Sequence, residues 1–155
     1  MSSTSSIDDP LITTFGRLVE AYSRLEQWLG SAMESEAGVP HVWFEVLIRL
    51  ARSEGEQLTM SSLADQIALT TSGVTRLVDR MQTAGYVERR PCPTDRRVSY
   101  AGITAAGHEA LDRAAAVHAR NLRKAFDGFT PQDVAALDGV LDRLRDSASA
   151  LPRQS

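Results

Sequence analysis

The chain has 155 residues, with 17 Lys+Arg against 20 Asp+Glu, and is 43% hydrophobic and 24% charged. That length suits one domain of ordinary size with a real core, and the apolar fraction excludes a disordered chain. No apolar run approaches the roughly 18–20 residues of a membrane span, and Met1–Asp9 is polar, unlike a secretory signal. A single cysteine excludes an intrachain disulfide and any Cys-pair zinc site. The expectation is a soluble, cytoplasmic protein with no membrane partner and no cofactor.

The distribution of charge says more than its sum. Residues 1–70 carry four basic and ten acidic side chains, residues 71–104 six basic and three acidic, and residues 105–155 seven of each. One short basic window therefore lies inside an acidic protein, either as a solvated arginine face or as a surface for a polyanion.

Residues 1–10 read as a flexible leader. Leu11, Phe15, Leu18, Val19, Tyr22, Leu25 and Leu29 then recur at helical spacing, predicting a long amphipathic helix that ends near Gly38-Val39-Pro40. A second helix follows Pro40, with Val42, Trp43, Val46, Leu47, Leu50 and Ala51 on one side. After a short extended piece, Leu58-Thr59-Met60, two short helices come in close succession. Ser61 and Ser62 open the first, whose stripe is Leu63, Ala64, Ile67 and Ala68. Thr70 caps the second, and Val74, Leu77, Val78 and Met81 fit the i, i+3, i+4, i+7 pattern of one buried face. Two helices joined by a tight turn make a helix-turn-helix.

The period then changes. Tyr86–Arg90 and Val98–Ala101 read as strands joined through Pro91-Cys92-Pro93-Thr94-Asp95-Arg96, a hairpin following the helix-turn-helix. Thr104 caps a long helix through about Phe126, with Leu111, Ala115, His118 and Leu122 near one stripe. Thr130-Pro131 opens the last helix, with Val134, Leu137, Val140, Leu141 and Leu144 on its stripe, and residues 149–155 read as a tail. The expected fold is mainly α with a small β-hairpin wing (α+β), a winged helix-turn-helix spanning about 40–104. Helices 11–37 and 105–148 supply a dimerisation region, within a single domain covering 11–148. The terminal stripes are too wide for the remaining chain to cover. Leu11, Phe15, Leu18, Leu137, Val140, Leu141 and Leu144 are the interface candidates, with intramolecular core as the alternative.

On the Thr71–Ala84 helix, the direction opposite the apolar stripe carries Ser72, Arg76, Asp79 and Thr83, flanked by Thr75 and Arg80. Short hydroxyls at a helix N-terminus let the backbone approach a phosphate or base edge, and the helix dipole favours an anion. Arg76 can fork onto a guanine edge, and Arg80 can reach a phosphate or base. Ser61, Ser62, Thr71, Ser72, Gly73, Thr75, Arg76 and Arg80 are the candidate major-groove set for double-stranded DNA. Arg89, Arg90, Asp95, Arg96 and Arg97 are the wing set, around a loop narrow enough for a minor groove. Within it, Asp95 would be repelled by phosphate and could instead orient Arg97.

Thr70–Met81, Gly85-Tyr86-Val87, Asp95-Arg96-Arg97 and Ile103-Thr104-Ala105-Ala106-Gly107, in that order, resemble the MarR family of winged-helix transcriptional regulators, over roughly Leu11 to Leu144. The resemblance implies a homodimer with interlocking first and last helices, Arg97 as wing-tip arginine and Asp95 as its support. It implies a repressor more than an activator. Met81 stands where the family often has Leu, and Gly102 replaces a usually larger residue, so the second wing strand is expected to end early. It also implies release of DNA when a small aromatic or anionic effector binds between the dimer core and the DNA-binding lobe, or when a cysteine is oxidised.

Trp28, His41, Trp43 and His118 are the effector candidates, each with a plain core role as its alternative. Cys92, in the wing loop near Arg90 and Arg96, is the redox candidate, with passive exposure as its alternative. Three histidines without i, i+4 pairing give no metal site. No Gly-rich phosphate loop, nucleophile elbow or HExxH motif suggests an enzyme. The competing reading is a dimeric winged-helix protein-interaction module, from which Arg76, Arg80 and Arg97 distinguish a DNA reader.

Overall fold

The computed structural model describes residues 6–67 and 69–152. Ala68, placed by its spacing on a buried stripe, lies outside the described residues, as do residues 1–5 and 153–155 of the expected leader and tail. Backbone contacts divide the chain into two compact units, one through Leu122 and one from Arg123 onward.

In the first unit, a 3-10 turn (Ser6–Asp8) leads into α1 (Pro10–Ala37). The Asp9 carboxylate accepts the Leu11 N–H at 2.8 Å, and Pro10 occupies the first turn, where its missing N–H costs nothing. Gly38 ends the helix at φ 68°, a left-handed conformation that returns its N–H to Glu34 O at 3.0 Å. α2 (His41–Ala51) follows Pro40, then β1 (Gln57–Thr59), α3 (Met60–Gln66) and α4 (Thr71–Thr83). α3 begins at Met60 rather than at Ser61, because Thr59 Oγ1 caps it by accepting the Ser62 N–H at 3.1 Å. Thr70 caps α4 in the same way through Gly73 N, at 3.1 Å.

α4 closes on Gly85 at φ 83°, with Tyr86 N donating to Met81 O and Gly85 N to Gln82 O, which turns the chain directly into β2 (Val87–Pro91). β3 (Ser99–Ile103) returns antiparallel, and β1 pairs on its other edge, so the wing is a three-stranded sheet in the order β1-β3-β2. α5 (Ala105–Ala125) starts from Thr104, whose hydroxyl donates to Gly85 O at 2.6 Å and accepts the Gly107 N–H at 3.0 Å. A single side chain thus stitches the end of α4 to the start of α5.

The core forms where α2, α3, α4, the sheet and the first turns of α5 meet. Val46, Leu47, Leu50, Leu63, Val74, Leu77, Val78 and Met81 are buried there with Met33, Val87, Ala101, Ala110 and Ala114. The predicted α4 stripe is buried as spaced. On α2 the buried side includes Phe44, while Val42 is exposed. α5 buries Gly107, Ala110, Leu111, Ala114, Val117 and Asn121, a narrower, small-residue stripe that lets it lie close to its neighbours. An Arg120–Glu36 ion pair joins α5 to the end of α1.

Gly102 does not end β3 early. It sits between Gln57 of β1 and Glu88 of β2, and the strand continues to Ile103. The missing side chain makes room for the Arg90 guanidinium, which donates to Gly55 O, Gln57 Oε1, Ile103 O and Glu88 Oε1 at 3.3, 3.4, 3.2 and 2.9 Å. A Cβ on Gly102 would stand 2.3 Å from Arg90 Cζ. Gly102→Ala should therefore push the guanidinium off the sheet, costing about 1–2 kcal/mol for the lost hydrogen bonds. Urea unfolding should show Arg90→Ala with a similar loss, and the double variant with little more than either alone.

The second unit holds the end of α5 and α6 (Pro131–Ser149). Thr130 and Asp133 form a reciprocal capping box at 3.1 and 2.9 Å, with Pro131 at the first helical position. The hydrogen bonds from Thr130 hold the Asp133 carboxyl below its ordinary range. No α6 residue is buried.

Candidate nucleic-acid interface

Burying Val74, Leu77, Val78 and Met81 turns the other side of α4 outward, so Thr71, Ser72, Arg76, Asp79 and Arg80 are exposed. Arg76 and Arg80 make no ion pair or hydrogen bond among the described residues. Thr75 is half-buried, and its hydroxyl donates to Thr71 O at 3.0 Å. Ser72 Oγ lies 3.3 Å from the capping Thr70 Oγ1. Gly73 donates its N–H to that cap, and an added methyl would stand 3.2 Å from Thr70 Oγ1.

The wing arginines divide into two pairs. At the tip, Asp95 Oδ1 accepts Arg97 N and Nε at 3.0 and 3.2 Å, and Oδ2 accepts Nη2 at 3.3 Å. The Arg97 side chain remains 90% exposed, so it is held in one orientation while staying in solvent. Its guanidinium, then its backbone N–H, keep the Asp95 carboxyl below the usual range. Arg96 is exposed and, among the described residues, unpaired.

At the base, Arg89 and Arg90 do something else. Successive strand residues point to opposite faces of a sheet. Arg89 reaches α4 and donates to Asp79 Oδ1 at 2.6 Å, while Arg90 crosses Gly102 toward β1. Both expected wing arginines therefore have partners within the protein, Arg89 on α4 and Arg90 across the sheet. Alternation along β2 and the absence of a side chain at Gly102 carried the signal for this.

A shallow cleft of about 290 Å³ opens between the starts of α3 and α4 and the start of β3, lined by Thr59, Ser61, Thr71, Arg97 and Ser99 among others. It brings three expected residues together, Ser61, Thr71 and Arg97, and adds Thr59 and Ser99. Hydroxyls, one helix N-terminus and a guanidinium around an open cleft can bind a phosphodiester oxygen.

The effector candidates do not converge. Trp28 is exposed, and Trp43 packs edge-on against Tyr86 at 5.8 Å. Only His41 and His118 meet, with ring centroids 6.0 Å apart, and Phe44 joins them at 5.1 Å from His118. Among the described residues, His118 Nδ1 and Asn121 Nδ2 are buried without a hydrogen-bond partner. Cys92 Sγ lies 3.4 Å from Thr94 Oγ1, and hydrogen bonds from Thr94, not the arginines, lower its thiol below the usual value. Among the described residues no cluster of three or more His, Cys, Asp or Glu could hold a metal, and no helix is long and apolar enough to cross a membrane.

Burial first, and the neighbouring His41 second, push the His118 pKa below 6.5. A histidine whose folded pKa is depressed contributes stability in full above the unfolded value, and loses it as pH falls toward the folded one. The thermal midpoint should therefore drop between about pH 7 and pH 5, and His118→Gln should shrink that drop. Identical pH dependence in the two proteins would assign the acid sensitivity to other groups.

A sequence profile of the MarR family matches residues 37–98. Sco3205, a MarR family transcriptional regulator from Streptomyces coelicolor crystallised in complex with DNA, is 32% identical, with a TM-score of 0.79 over 90% of each chain. The chain belongs to the MarR family. Among curated relatives, YkoM of Bacillus subtilis (strain 168), an uncharacterized HTH-type transcriptional regulator, is 29% identical over 87 residues, 56% of each protein. The transcriptional repressor MprA of Escherichia coli (strain K12) is 31% identical over 74 residues, 48% of this chain and 42% of MprA. These matches span about half the length of those two relatives. The family assignment makes this region a winged-helix domain of the kind found in transcriptional regulators.

Proposed function

We propose that this MarR family regulator is a homodimeric repressor that reads a pseudo-palindromic operator in double-stranded DNA. The observation that carries the reading is the pairing of an exposed, unpaired Arg76 on α4 with an exposed, Asp95-oriented Arg97 on the wing. Arg76 and Arg80, with Ser72 and Thr71, address the major groove, and Arg97 the adjacent minor groove. The cleft between Ser61, Thr71 and Arg97 takes a backbone phosphate, which sets the register without reading sequence. DNA in the Sco3205 complex and the repressor role of MprA support the same reading.

A second copy accounts for apolar surface that one chain leaves open. Leu11 and Phe15 on α1 are 76% and 66% exposed, and Leu18, Leu137, Val140, Leu141 and Leu144 are exposed as well. Release by a small aromatic or anionic effector, if it acts inside one subunit, falls to the His41–Phe44–His118 cluster and its unpartnered ring nitrogen.

Selection of bound duplexes from a random pool, at near-physiological salt, tests the reading. The expected result is an inverted repeat with half-sites about one turn, roughly 34–36 Å, apart. Recovery of no motif, with binding that vanishes as salt rises, would leave only nonspecific attraction and favour a protein-interaction module.

A further inference from the structure

Asp79 is out of place on a helix face turned toward phosphates. It is 58% exposed, three residues beyond Arg76 and one before Arg80, where an unpaired carboxylate would repel DNA. Either arginine on its own helix is near enough in sequence to pair with it, and Arg76 stands at the i−3 position that favours such pairs. Asp79 instead takes Arg89 from β2, ten residues on, at 2.6 Å. That choice has two consequences. It leaves both helix arginines unpaired among the described residues, and it bolts the first wing strand to the recognition helix. On the opposite face of the same strand, Arg90 fastens the wing to β1 and the preceding turn.

We infer that Asp79 and Arg89 are positioning residues: their ion pair fixes the angle between recognition helix and wing, so that Arg76 and Arg97 engage the operator as one unit. Arg89 is thereby a strut, not a phosphate ligand. The inference rests on the DNA reading proposed above and adds a coupling that that reading does not require. A rigid strut aligns two contacts in advance, so the ordering cost is met in folding rather than at binding. Without it, the wing tip must find its groove independently.

The two possibilities differ in sign. If Asp79 were only a surface charge, Asp79→Asn would remove repulsion, free Arg89, and tighten binding. As a positioning residue, its loss should weaken binding by about tenfold, within the range of couplings between directly interacting residues. Operator affinity is measured by fluorescence anisotropy for the full-length wild type, Arg97→Ala, Asp79→Asn, the double variant and Asp79→Glu, with thermal midpoints to establish that each is folded. Expected are a loss for each single change, a double variant little worse than the weaker single, and recovery of most of the affinity in Asp79→Glu. Hydroxyl-radical footprinting should show wing protection fading in Asp79→Asn while major-groove methylation protection persists.

Tighter binding by Asp79→Asn, or a full Arg97→Ala penalty when Asp79→Asn is already in place, would overturn the coupling and leave the DNA reading intact. A wild type without operator preference, or an Arg97→Ala variant that binds as well as wild type, would overturn both. Should Asp79→Asn prove unstable, Arg89→Gln gives the same cycle from the other end of the pair. Additive losses with Arg97→Ala would again sink the coupling, and sub-additive losses would support it.

Discussion

Replacing Arg76 with alanine should weaken operator binding by about 1–3 kcal/mol and flatten discrimination at one base pair per half-site. The size follows from geometry. The guanidinium is exposed, has no partner to lose among the described residues, and projects from the first half of α4, the part of a recognition helix that reaches base edges. The same isolation predicts a folded protein within about 0.5 kcal/mol of wild type, as for surface changes away from any network. Titration against single-base operator variants separates base reading from phosphate binding. A uniform loss across all variants, with a shallower salt dependence, would reassign Arg76 to the backbone. Arg90→Ala provides the contrast. Its four hydrogen bonds lie within the protein, so its first effect is on unfolding, and any loss of DNA affinity follows from a displaced wing.

Much of this arrangement was legible in the sequence because the buried pattern is local. The i, i+3, i+4, i+7 spacing of Val74, Leu77, Val78 and Met81 fixes which side of α4 faces out, and so places Arg76 and Arg80 in solvent. Asp95-Arg96-Arg97 likewise carries its own geometry, since residues two apart in a turn can meet without help from the rest of the fold. What escaped were contacts set by strand register. Arg89 and Arg90 look equivalent in a linear reading. Only the pairing of Glu88 with Gly102, and of Gly102 with Gln57, shows that one arginine crosses a bare glycine while the other turns to α4. The arrangement of the effector candidates was hidden for a related reason. Trp28 and Trp43 sit on helices near the expected crevice, yet a helix position alone does not say what lies across from it. Phe44, adjacent to Trp43, is the aromatic ring that packs beside both histidines. The apolar stripes of α1 and α6 were legible as stripes. Both stripes are exposed in the single chain, and they are the surface that the proposed second copy would cover.

The largest effect on stability should come from Gly107→Ala. In a linear reading this change looks favourable, because alanine in place of glycine in a helix gains about 1 kcal/mol. The packing reverses the sign. A Cβ at Gly107 would stand 2.1 Å from Tyr86 O and 2.8 Å from Ile103 Cγ1. Tyr86 O is backbone, and it already accepts the Thr104 N–H at 3.1 Å, so it cannot swing aside as the end of a long side chain would. The first turn of α5 would have to lift from the α4–β2 turn, straining the Thr104 bridge to Gly85 that sets where the wing begins. Overpacking of this kind costs about 1–3 kcal/mol, sometimes more, and outweighs the helix-propensity gain. Gly139 in α6 is the control: it lies opposite the apolar stripe, and an added methyl meets nothing within 4 Å. Gly139→Ala should raise the urea midpoint by the equivalent of about 0.5–1 kcal/mol, while Gly107→Ala lowers it. If both raised it, the first turn of α5 would stand farther from the recognition helix than the Gly107 approach requires, and the wing would lose the fixed foot from which Arg89 and Arg97 are aimed.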